Sequence, residues 1–195
     1  MNASFFDRLG AYVLDALLIF AISSVISVFI PNKGSDIEKE MTVLLEEYTN
    51  GEIDAQVYLD KYSNLTYQYQ KENWVLSLVS VSLSLIYYVV FAWYNKGQTI
   101  AKKLMNIKVV DNKTGNKPSF IQMFLRNMVI YSLLSGIVML VLLFVSGKIF
   151  VYTYIGFAII ELLFVILTVM FVLYRKDKRG LHDMMSGTKV IKESV

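Results

Sequence analysis

Arg8 and Asp15 lie seven residues apart in FFDRLGAYVLDALLIFAISSVISVFI, a stretch otherwise apolar enough to cross a membrane. Seven residues are about two helical turns, so Arg8, Tyr12 and Asp15 share one helix face. At about 1.5 Å of rise per residue, the aspartate sits about 10 Å deeper than the arginine. Ionisable groups at membrane depth are costly and are kept there for a purpose. One purpose for Asp15 is to bind a cation or carry a proton. Another is to act as a polar clamp that fixes helix packing. Arg8 is too far along the same helix for a tight pair, so the partner of Asp15 would come from another span or from the inner region of the chain.

Glu161 is the second intramembrane acid, with apolar neighbours on both sides. An ionised, unpaired glutamate there costs at least about 2.5 kcal/mol by analogy with other charged residues on insertion scales. It must be protonated, paired or facing water, which makes it a candidate proton carrier beside Asp15. Thr168 follows seven residues later on the same face. His182 and Asp183 are adjacent, and neighbouring residues of a helix do not face each other, so they do not form a catalytic dyad by themselves. Asp183 instead suits a cap, or a pair with a basic group such as Arg8 or Arg179.

The elements that must position these groups are membrane spans. Of 195 residues, 55% are hydrophobic, above the 45–50% usual for soluble domains. They fall in long blocks rather than at helical period. Four blocks are long enough to cross a bilayer: about 9–30, 74–94, 128–145 and 150–174. A helical run from Ser119 carrying Arg126 precedes the third. The first block lacks the basic leader and cleavage site of a removable signal peptide. Trp74, Trp93 and Tyr94 stand at the ends of the second, where aromatic belts form.

Loop charge predicts orientation. The loop of about 95–120 carries Lys96, Lys102, Lys103, Lys108, Lys113 and Lys117 against Asp111, and the tail 175–195 is also basic. The insertion of about 31–73 is acidic. The expected fold is therefore an all-α integral membrane protein with four transmembrane helices and both termini cytoplasmic. Its insertion reads as an external helical hairpin: apolar residues from Ile37 to Tyr48 recur at helical spacing, Gly51 marks a stop, and Ile53 to Tyr69 continues as a second helix. The alternative is a plain acidic loop joining two spans. Two β-like runs, Ile107–Asp111 and Thr188–Lys192, are expected to pair as a small cytoplasmic element that needs the helices above it, because two strands alone are marginal. Just before the first of them, Gly97 to Leu104 suits a short interfacial helix whose lysines meet anionic lipid headgroups while Ile100, Ala101 and Leu104 turn inward.

Several function classes drop out. The absence of cysteine excludes disulfides and thiolate-ligated metals, and a lone histidine excludes a multi-histidine metal site. A net charge of +3 is too mild to imply nucleic acid. There is no phosphate loop and no nucleophile elbow. No enzyme, cofactor or metal site is expected. The partners expected are the lipid bilayer and either further copies of the chain or another membrane protein.

Three blocks of the chain resemble the RDD family of bacterial membrane proteins. They run from Phe6-Asp7-Arg8-Leu9 to Asp15-Ala16-Leu17, from Gly97 through Leu104 to Lys108–Asp111, and from Asp177 through Asp183 to Ser186–Val190. The resemblance implies a polar cluster of one arginine and two aspartates: Arg8, Asp15 and Asp183, with Asp177 as the alternative for the second aspartate. Ala101 departs from the pattern, which usually has glycine there, and this puts a tight backbone approach in question. The resemblance implies a bacterial plasma membrane, and either cation/proton transport or a regulatory or scaffolding role beside another membrane complex; the residues themselves offer Asp15 and Glu161 as the ion or proton site of the first reading.

Overall fold

The computed structural model describes residues 1–145 and 147–193. The last two residues of the tail expected over 175–195 lie outside it. Helix α1 (Phe5–Ser27) starts four residues earlier than its apolar block because Ser4 and Asp7 form a reciprocal cap, each accepting the other's backbone N–H at 3.1 Å. Helices α2 (Ser35–Thr49) and α3 (Ala55–Glu72) turn at Gly51 and pack on each other, Tyr48 stacking on Tyr58 at 4.7 Å. Helix α4 (Trp74–Leu85) continues through a π-helical turn (Ile86–Phe91) into α5 (Ala92–Tyr94).

Three helical stretches are long and apolar enough to cross a membrane: Phe5–Ser27, Trp74–Tyr94 and Phe150–Tyr174. Large apolar side chains such as Phe20, Val25, Ile86, Ile160 and Leu163 are exposed along them, a surface suited to lipid rather than water. The third apolar block, expected as one span over 128–145, falls in a bent pair of helices that together are apolar enough to make a fourth candidate span. Helix α7 (Phe120–Ile130) and helix α8 (Leu133–Leu142) form a pair bent by 74°, with Ser132 in a left-handed conformation (φ 52°) between them. In α7, Arg126 is anchored to Asp183 and Thr188, and Asn127 to the Tyr88 carbonyl. The apolar run restarts beyond the bend. Helix α9 (Gly147–Tyr174) follows, then the short α10 (Leu181–Met185).

The two β-like runs do pair. Strands β1 (Ile107–Asp111) and β2 (Thr188–Lys192) are antiparallel with Val109 opposite Val190. The N-terminus extends the sheet: the Ala3 N–H donates to the Val190 carbonyl at 3.1 Å. Ile107, Val109 and Val190 pack with Ala11, Ala101 and Met123, so the sheet is capped by α1, α6 (Ile100–Leu104) and α7. That cover stabilises a two-stranded unit that would not stand alone. The loop into α6 lies against β1 at Gly97. A Cβ there would sit 2.2 Å from the Val109 carbonyl oxygen, and φ is +87°, so only glycine fits.

Candidate functional site

Asp15 is fully buried and receives three donors. The Tyr87 hydroxyl donates to one carboxylate oxygen at 2.5 Å, and the Ala101 N–H donates to the same oxygen at 3.2 Å. The Thr99 hydroxyl donates to the other at 2.5 Å. Thr99 also caps α6, accepting from the Lys102 N–H, so one residue both starts the helix and fastens it to α1. The π-helical turn presents Tyr87 to this group. It also leaves the Tyr88 carbonyl to accept from Asn127 of α7 at 2.5 Å, which joins a second helix to the same point. Alanine at position 101 does not prevent the close approach: its N–H reaches Asp15, and its methyl is buried.

Asp183 forms the second centre, also fully buried. It caps α10 by accepting from the Gly180 N–H at 3.1 Å. Arg8 donates to one carboxylate oxygen at 2.8 Å, and Arg126 pairs with the other while also donating to the Thr188 hydroxyl at 3.1 Å. Burial alone would raise the Asp183 carboxyl, but the adjoining guanidiniums, Arg126 foremost, outweigh it and hold the group well below the usual carboxylate range. Asp177 sits apart at the surface, bonded to Arg175 at 2.9 Å. The geometry therefore brings Asp183, not Asp177, to Arg8. Burial pushes the neighbouring His182 down to about 3, with Arg126 and Arg8 reinforcing the effect against the attraction of Asp183, so it is neutral near pH 7.

Glu161 is not part of either centre. It is half-buried on α9, with no hydrogen bond or ion pair among the described residues. Sequence reasoning missed Lys102, Arg126, Tyr87 and Thr99 as site residues. The signal for Arg126 was present, a lone arginine in an apolar run. The expected lie of α6 is corrected: Lys102 is buried rather than facing headgroups, while Ile100 and Leu104 are exposed. The helix turns this way because its N-terminus, Thr99 to Ala101, is drawn onto Asp15. Burial pushes the Lys102 ammonium down to about 8, and Arg126 adds to the shift.

Two cavities stand out, one away from these centres and one beside them. A cavity of about 720 Å³ lies among α3, α4, α8 and α9, with Ser77, Ser80, Ser132 and Ser135 among its lining hydroxyls. A smaller one, about 180 Å³, lies between α1 and α9 beside Arg8, Lys102 and Arg126. Among the described residues, no three Asp, Glu or His side chains converge as metal ligands would.

The RDD family profile matches residues 2–187. An uncharacterized protein of Rickettsia prowazekii (strain Madrid E) is 29% identical over 106 residues, covering 54% of this chain and 42% of that protein. The chain thus spans less than half the length of this relative. No solved structure matches it.

Proposed function

The chain belongs to the RDD family, and on that premise we propose that it is a non-catalytic binding or scaffolding protein of a bacterial plasma membrane. The sheet, with both termini, faces the cytoplasm in this reading, which the lysine-rich loop supports. The helical insertion α2–α3 then lies outside. The observation that carries the proposal is the engagement of Asp15. Its carboxylate holds Tyr87, Thr99 and the Ala101 backbone together, and so joins α1, the second span and α6 at one buried point. A carboxylate placed like this suits a clamp better than an ion carrier, which must exchange its ligands. The same holds for Asp183 between two arginines. The result is a stiff platform at one end of the bundle, suited to docking a partner.

A second reading, cation transport linked to protons, is favoured by one observation: Glu161 sits within α9 without a partner among the described residues. Cation-driven proton movement in proteoliposomes of the purified protein, beside Asp15→Asn and Glu161→Gln, tests both. The clamp reading expects no flux from the parent and a destabilised Asp15→Asn. Flux that vanishes in a well-folded Asp15→Asn or Glu161→Gln variant would overturn it in favour of transport.

A further inference from the structure

The cleft between α1 and α9 combines a cationic floor with apolar walls. Arg8, Lys102 and Arg126 contribute the charge, while Leu9, Phe164 and Val169 are among the wall residues. The cations outnumber the adjacent carboxylates. Asp183 is shared by the two arginines, and Asp15 is occupied by its three donors. Three positive groups against these two carboxylates leave one positive charge over. It belongs most directly to Lys102, which is only 6% exposed and whose ammonium makes no hydrogen bond or ion pair among the described residues. Its ammonium also lies 5.8 Å from the centroid of the Tyr131 ring. Three further polar atoms of the lining residues are buried without partners among the described residues: Arg8 Nε, the Thr168 hydroxyl and His182 Nδ1. A buried charge without a counter-ion is costly, and unpaired donors beside it add to the cost. A single oxyanion offsets both.

We propose that this cleft binds one phosphate group carried on an apolar chain, the headgroup of a singly charged anionic lipid. The phosphate oxygens accept from Lys102, Arg8 and Thr168, and the hydrocarbon lies along Phe164 and Val169. Charge selects the phosphate, since arginine and lysine donors suit its oxygens. The apolar walls select the lipid over free phosphate. The site does not rest on the scaffolding reading, because a transporter with the same cleft would bind the same lipid.

Native mass spectrometry of the detergent-purified full chain tests the site with three probes: phosphatidylglycerol, diacylglycerol and inorganic phosphate. The expected result is one phosphatidylglycerol per chain, with binding at least tenfold weaker for diacylglycerol and for inorganic phosphate. Lys102→Met should weaken phosphatidylglycerol at least tenfold. Val169→Phe, which fills the wall and leaves every cation in place, should weaken it as well, and it serves if the lysine variant does not fold. Equal binding of phosphatidylglycerol to the parent and to a folded variant would overturn the site. Diacylglycerol binding as tightly as phosphatidylglycerol would overturn the role of the phosphate. Inorganic phosphate binding as tightly would overturn the lipid as its source.

Discussion

Arg8 and Asp183 are 175 residues apart in the chain, and their side chains meet at 2.8 Å. Arg8 belongs to the first span and Asp183 to the tail that follows the last, so this contact closes the chain on itself. Arg126 joins from α7 and makes the carboxylate a three-way junction.

The two sides of that junction are unequal. Loss of Arg8 leaves Asp183 with Arg126, whereas loss of Asp183 leaves two guanidiniums buried without a counter-ion. Asp183→Ala should therefore cost about 3–5 kcal/mol, the range for breaking a buried pair, and Arg8→Ala distinctly less. The double variant should be no less stable than Asp183→Ala alone. Urea unfolding in detergent micelles measures all three, and strictly additive losses would argue against coupling.

The Asp15 centre should behave as a fastening for α6. Tyr87→Phe and Thr99→Val each remove one donor from a buried carboxylate and should cost about 1–3 kcal/mol. Thr99→Val also removes the α6 cap, so its loss should be the larger. Trypsin cleavage after the exposed Lys103 reports on the fastening directly. Both variants should be cut faster than the parent, with Thr99→Val fastest, and cleavage at the parent's rate would mean that α6 is held by something else.

Acid should loosen the tail before it protonates Asp183. The folded protein keeps His182 neutral down to about pH 3, while the unfolded chain takes up that proton near 6.5. Between these values the unfolded state binds more protons, so stability falls as pH falls. Asp183, depressed below its ordinary 3.8, adds a second loss only below about that pH. Thermal midpoints measured from pH 7 to pH 4 should decline in the parent and much less in His182→Phe. An equal decline in both would place the acid sensitivity elsewhere.

How much of this was legible in the sequence depended on how local each signal was. Strands β1 and β2 were visible as short β-branched runs, and Arg8 and Asp183 stood out as charges flanking apolar blocks. The π-helical turn was not visible: Ile86–Phe91 has no residue that announces a change of helical register, yet that turn brings Tyr87 to Asp15. The bend at Ser132 was hidden for a similar reason: the run from Met128 to Val145 reads as one largely apolar block, and the polar partners that anchor α7 through Arg126 and Asn127 are distant in the chain. Lys102 and Lys103 looked alike as neighbours in a basic loop. Docking of α6 on Asp15 separates them, one buried and the other exposed.

Burial without an ion pair makes Lys102 a source of instability in the unliganded protein. Its ammonium is pushed from an ordinary 10.5 down to about 8, so the folded state releases the proton well before the unfolded chain does. Between pH 8 and 10.5 the unfolded state binds more protons, and stability rises with pH through that window. Below pH 8 the penalty is fully in place. Lys102→Met keeps an unbranched apolar stem of the same reach as the lysine methylenes and removes the charge. In delipidated protein it should raise the thermal midpoint at pH 7, and the advantage should shrink by pH 10 as the parent sheds the same charge. A variant less stable than the parent at pH 7 would show that the attraction of Asp15 and Asp183 outweighs the desolvation of Lys102, and that the ammonium is held by the protein itself.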